Sequence, residues 1–219
     1  MEAAIQGYRL SPQQRHLFAL GDGGGPFRVQ ATLRVAGPLD PARLRAAVER
    51  VVARHEALRT TFQRLPGMEL PLQVVADGVE VAWPAALELQ ALPPGDEADA
   101  LERLLESARR APLDETGAAL RLDRVSFGPE RHALLLTAPA LCADARSLEL
   151  VAHEVARAYA GPVAEGEGEA PLQYVDASEW LNELLESDAA EEGRSQWRRG
   201  GAAADTRLPW EAAAAADAP

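Results

Sequence analysis

Apolar and polar positions change period several times along this chain, and each change marks an expected element. Residues 11–20 read as a short helix, with Ser11 as N-cap and Pro12 in its first turn. A glycine-rich loop follows at 22–26. From 27 to 35 the period falls to two: Phe27, Val29, Ala31, Leu33 and Val35 alternate with polar residues, as in a half-buried strand. Asp40 then caps a helix that has Pro41 at its first position. Leu44, Val48, Val51, Val52 and Leu58 recur at three- and four-residue spacing and define its buried face.

Two short strands are expected near 72–75 and 79–83, then a helix over 97–110 that carries Leu101, Leu104 and Leu105. Strands at 119–127 and 132–138 flank the turn Gly128-Pro129-Glu130. The first of them alternates. The second is continuously apolar, as in a central strand covered on both faces. Asp144 or Ser147 caps a helix that runs through Tyr159 to Gly161-Pro162, and 161–168 reads as a flexible acidic loop. A last helix, from Asp176 to about Arg199, carries Trp180, Leu181, Leu184, Leu185 and Trp197. From Gly200 onward Ala, Gly, Asp and Pro leave no face to bury, so the chain should end in a linker or disordered tail. No internal repeat is present, and strands and helices interleave without strict alternation. That order favours an α/β two-layer sandwich.

Composition narrows the classes. With 219 residues, 47% of them hydrophobic, the chain can build one sizeable core, or one core plus a tail. A net charge of −12 excludes the basic footprint that nucleic acid requires. No apolar run is long enough to cross a membrane, and Met1 is not followed by a basic and then apolar leader, so a cytoplasmic protein is expected. The single cysteine precludes an internal disulfide. All 22 basic residues are arginine, which removes Schiff-base and phosphate-loop lysines.

Candidate chemistry is sparse. His55-Glu56 and His153-Glu154 both open like a His-Glu-x-x-His zinc motif, but Arg59 and Arg157 stand where the second histidine belongs, so no metal is expected. Asp144, Ser147 and His153 cannot form a triad, because Ser147 and His153 lie about 240° apart around one helix. Cys142 has no histidine nearby in sequence to activate it and reads as a small buried residue. His132 reads as a packed strand residue and His16 as part of the first helix. Gly23–Gly25 lacks the lysine of a phosphate loop. No cofactor is expected.

Four segments carry a resemblance. Leu10-Ser11-Pro12-Gln13-Gln14, followed by Leu17-Phe18, is similar to the opening motif Leu-Ser-x-x-Gln-x-x-Leu-aromatic of the condensation domains of nonribosomal peptide synthetases. Residues 54–62, RHEALRTTF, match that family's second motif, Arg-His-Glu-x-Leu-Arg-Thr-x-Phe, at every fixed position. Ala111-Pro112-Leu113-Asp114 resembles its Pro-Phe-Asp-Leu segment with leucine for phenylalanine. Residues 134–147, LLLTAPALCADARS, fall on the third motif, His-His-x-x-x-Asp-Gly-x-Ser. Asp144 and Ser147 match it. Pro139 and Ala140 replace the two histidines, and Ala145 replaces the glycine.

The resemblance implies a chloramphenicol-acetyltransferase-like half, a mixed sheet packed by helices. It covers one of the two lobes of a family member, and implies an N-terminal lobe over 1–172, a helical segment at 173–200 leading toward a second lobe, and a linker at 201–219. In the family the second histidine of that third motif is implicated in deprotonating the attacking amine or stabilising the tetrahedral intermediate. Ala140 has no group for this, and Pro139, which has no N–H, should disturb the end of the strand. No catalytic residue is therefore expected, and the leading function is a catalytically inactive scaffold or interaction module in peptide natural-product biosynthesis. Its rival is an active acyltransferase that forms amide or ester bonds with a base supplied from elsewhere. Expected partners are a second lobe, a carrier protein or a tailoring enzyme, with self-association through Trp180, Leu181, Leu184, Leu185 and Trp210. Asp144, Ser147, Arg59 and His55 remain as structural motif residues. The resemblance suggests a buried Asp144–Arg59 ion pair, whose breakage would cost of order 3–5 kcal/mol; the other reading of Asp144 is a solvent-exposed helix cap.

Overall fold

The computed structural model describes residues 6–20, 27–78, 81–84, 86–89, 96–110, 119–161 and 170–200. The expected loop at 22–26, the loop at 161–168 apart from Gly161, the whole Ala111–Asp114 segment, and the tail with Trp210 lie outside them. The elements are β1 (Gly7–Tyr8), α1 (Pro12–Leu20), β2 (Arg28–Ala36), α2 (Pro41–Arg54), β3 (Thr60–Gln63), β4 (Leu72–Val75), β5 (Leu87–Glu88), α3 (Asp96–Arg110), β6 (Arg121–Ser126), β7 (Arg131–Pro139), α4 (Ala145–Ala160), α5 (Tyr174–Glu186) and α6 (Glu191–Gly200). The chain forms two compact units, Met1–Trp180 and Leu181–Pro219, with the division inside α5.

Local chemistry places most boundaries. Ser11 and Gln14 form a reciprocal capping box on α1: the Gln14 N–H donates to Ser11 Oγ at 3.1 Å, and the Ser11 N–H donates to Gln14 Oε1 at 2.9 Å. The Asp40 carboxylate accepts from the Ala42 and Arg43 N–H groups, and Pro41 needs no partner at the first position of α2. Helix α3 opens on Asp96, Glu97 and Asp99 and closes on Arg109 and Arg110, which opposes both ends of its dipole. Gly128, at φ 134°, supplies the turn between β6 and β7 that an L side chain would resist.

Two sheets result, of order β1-β4-β3 and β2-β7-β6-β5. All pairs are antiparallel except β5 with β6. Residues 132–138 of β7 are all buried. On one face Leu134, Leu136 and Ala138 meet Leu44, Val48, Val51 and Val52 of α2 and Leu148, Val151 and Val155 of α4. On the other, Ala133 and Leu135 meet Leu101 of α3, with Val125 and Phe127 beside them. The class is α/β, mixed sheets packed by helices, as expected.

Three expectations need correction. The strand expected at 79–83 is, over its described residues, a single parallel bridge from Ala82 to Arg121; Pro84 has no N–H to carry the ladder further. The last helix is broken. At Ser187 the backbone becomes extended and the hydroxyl donates to the Leu184 carbonyl, so α5 ends at Glu186 and α6 begins after a 3-10 turn at Asp188–Ala190. Clustered acidic residues (Glu183, Glu186, Asp188, Glu191 and Glu192) disfavour one continuous helix there. Finally, Pro139 does not disturb β7: it keeps register with Arg28, and the next residue, Ala140, donates its N–H to Phe27 O at 2.9 Å.

Truncating Leu134 to alanine should cost about 2–5 kcal/mol in urea unfolding, because it is 1% exposed between two layers. Leu172→Ala, at a residue 80% exposed, should stay within about 0.5 kcal/mol of the parent.

Candidate functional site

The third-motif segment is a tight turn between the central strand and the start of α4. Hydrogen bonds hold its backbone at several points. Pro139 O accepts from the N–H groups of Cys142 and Ala143 at 2.9 and 3.2 Å. Leu141 O accepts from Gln14 Nε2 at 2.9 Å, and Cys142 Sγ donates to Thr60 O at 3.7 Å. Ala140 presents only a methyl group, partly exposed.

None of the four histidines serves this turn. His132 begins the same strand, eight residues away and roughly 26 Å along it; it is 7% exposed, and its Nε2 lies 3.2 Å from Pro129 O. His153 Nδ1 lies 2.8 Å from the Glu149 carbonyl within α4. His16 is exposed on α1. His55 Nε2 lies 2.8 Å from Glu154 Oε2, so the two His-Glu sequences meet in space and fasten the end of α2 to α4. No group of three or more His, Cys, Asp or Glu side chains able to hold a metal occurs among the described residues. Burial pushes the Cys142 thiol up to about 12, which keeps it protonated and a poor nucleophile.

The suggested Asp144–Arg59 pair does not form. Asp144 is exposed and caps α4: its Oδ1 accepts from both the N–H and the hydroxyl of Ser147, each at 2.7 Å. Those two hydrogen bonds hold its carboxyl below the ordinary aspartate range. Arg59 donates to the Ala76 carbonyl and to Glu56 Oε1 at 3.3 Å. Each charge satisfies its own segment. The second motif is a turn-builder: Thr60 Oγ1 donates to Glu56 O at 2.7 Å, Leu58 is buried, and the Glu56 N–H donates to Gln173 Oε1 at 3.0 Å.

Gln14 and Gln73 were not singled out from the sequence, yet both touch the site or its support. Leu10, Ser11 and Gln14, three of the five fixed residues of the opening motif, are at most 3% exposed. A glutamine three residues after an N-cap serine, the spacing of a capping box, was the available signal for Gln14. Gln73, alternating within β4, had none. An open groove of about 730 Å³ lies away from the turn, between Gln30 and the α3 residues Asp99, Glu102, Arg103, Glu106 and Arg109.

Comparison with known proteins agrees with the geometry. A family model described as "Condensation domain" matches residues 4–218. This chain belongs to the condensation-domain family. It is 31% identical over 196 residues to gramicidin S synthase 2 of Brevibacillus brevis, covering 87% of this chain and 4% of that protein. It is 36% identical over 190 residues to the probable non-canonical nonribosomal peptide synthetase CymA of Salinispora arenicola, covering 82% and 2%. Among solved structures, the X-domain from teicoplanin biosynthesis is 27% identical with a TM-score of 0.73, over 97% of this chain and 48% of that one. The SgcC5 protein of Streptomyces globisporus shares the fold at 24% identity and a TM-score of 0.73, over 87% and 45%. The chain thus spans under half of these solved structures and a few per cent of the synthetases.

Asp144→Ala should destabilise the protein by about 1 kcal/mol at neutral pH, the usual value of an N-cap. Because the folded carboxyl is the more acidic, this contribution is present above about pH 4 and fades as pH falls through the folded value. Unfolding of parent and variant at pH 7 and pH 2.5 checks it. In a double-mutant cycle, Asp144→Ala and Arg59→Ala should be additive within about 0.5 kcal/mol.

Proposed function

We propose that this chain is the N-terminal lobe of a condensation-like domain of a nonribosomal peptide synthetase, catalytically degenerate at its third motif and acting as a scaffold or interaction module in peptide natural-product biosynthesis. One observation carries the reading: the turn that would present the proton-handling side chain is formed and hydrogen-bonded, and position 140 holds a methyl group. The nearest thiol stays protonated and no histidine serves the turn, which supports the inactive reading.

In this reading the segment 173–200 leads toward a second lobe, 201–219 is a linker, and the protein is cytoplasmic. No described helix is long and apolar enough to cross a membrane. Its partners are a second condensation lobe, a carrier protein or a tailoring enzyme. Trp180 is 63% exposed, and Leu184 and Leu185 are 41% and 42% exposed, which suits a surface that meets another protein. A solved complex joins the X-domain and OxyB of teicoplanin biosynthesis, and supports partner recruitment as a role for a domain of this kind.

With aminoacyl groups loaded on donor and acceptor carrier proteins, the chain should form no product above background, alone or with a second lobe supplied. Ala140→His alone should not restore turnover, because Pro139 and Ala145 also differ from the motif. Turnover abolished by mutating a neighbouring residue would establish the active alternative.

Light scattering during gel filtration should show self-association or a complex with a second lobe. A monomer of 23.4 kDa at high concentration, unchanged in stability by such partners, would count against the interaction role.

A further inference from the structure

The turn at 140–143 is connected to the first half of α5 through two buried glutamines whose hydrogen-bonding groups are almost all engaged. Gln14 Oε1 accepts from Ser11 N, and its Nε2 donates to Leu141 O and to Gln73 Oε1, both at 2.9 Å. Gln73 Nε2 donates to Arg9 O at 2.8 Å and to Ser178 Oγ at 3.3 Å, and that hydroxyl donates to the same Arg9 carbonyl at 3.0 Å. Gln14, Gln73 and Ser178 are at most 3% exposed. Three further bonds fasten α5 to the same short segment: Tyr174 Oη lies 2.7 Å from Ser11 Oγ, and Glu179 accepts from Arg9 N and Nε at 2.6 and 3.0 Å.

Direction matters in such a chain. Each amide must present oxygen to one side and nitrogen to the other, and turning either one over sets donor against donor or acceptor against acceptor. Buried from solvent, a network so nearly satisfied has one favoured arrangement and resists displacement at any point along it. We infer that Gln14 and Gln73 are positioning residues that relay the placement of α5 to the third-motif turn, so that loosening α5 at Ser178 loosens residues 140–143. This goes beyond the proposed function, since it holds whether or not the turn ever supported catalysis.

The sole cysteine reports on the turn directly, because Cys142 follows Leu141 and its thiol is held against Thr60 O. The rate at which a small neutral maleimide labels Cys142 would be measured at fixed pH across low urea concentrations. Local opening gives a rate independent of urea, and global unfolding gives one that climbs with it. The variants are Ser178→Ala, Gln73→Met and Gln14→Met, with Leu101→Ala on the opposite face of the sheet as a destabilised control. The urea-independent rate should rise about threefold or more in Ser178→Ala and about tenfold or more in the glutamine variants, and stay within about twofold in Leu101→Ala. If a glutamine variant does not fold, Ser178→Ala and the remaining variant decide. Urea-independent rates unchanged in the folded relay variants, or raised equally in Leu101→Ala, would overturn the inference and leave the glutamines as packing groups.

Discussion

The burial of β7 on both faces is the constraint from which the main unit follows. Seven consecutive residues, 132–138, have no solvent-facing side, so each face of this strand needs its own cover. Helices α2 and α4 supply one and α3 supplies the other, while β2 and β6 satisfy the backbone on either edge. At roughly 1.5–3 kcal/mol for each buried leucine, the Leu134–Leu136 run alone outweighs any cap or ion pair in the protein. Where that strand ends, the chain must turn, and the turn is where the family's motif lies.

That turn forms with Pro139 and Ala140 at its start, because little of what shapes it involves their side chains. Backbone bonds from Pro139 O, the Asp144 cap and the Gln14 amide define it. Local contacts likewise shape the second motif, where Arg59, Thr60 and Leu58 build the passage from α2 to β3, and His55 joins α2 to α4 through Glu154. A half-exposed pair of this kind contributes little to stability and serves mainly to orient.

Periodicity and capping chemistry acting within a few residues were legible in the sequence: the Ser11 and Asp40 caps, a cap at either Asp144 or Ser147, the alternation of β2, the helical faces of α2 and α3, and the continuously apolar β7. These depend on neighbours along the chain, so the sequence alone determines them. That position 140 brings only a methyl group was legible for the same reason, since alanine has the same side chain in any fold. Only the tertiary structure decided the pairings between distant segments. Arg59 is closer in sequence to Glu56 and Ala76 than to Asp144, and packing gave it those partners; Gln73 has no local signature, and acquires its role because β4, α1 and α5 converge on it. Short strands such as β1, β3 and β5 likewise exist only where a neighbouring strand offers hydrogen bonds, which a one-dimensional pattern does not contain.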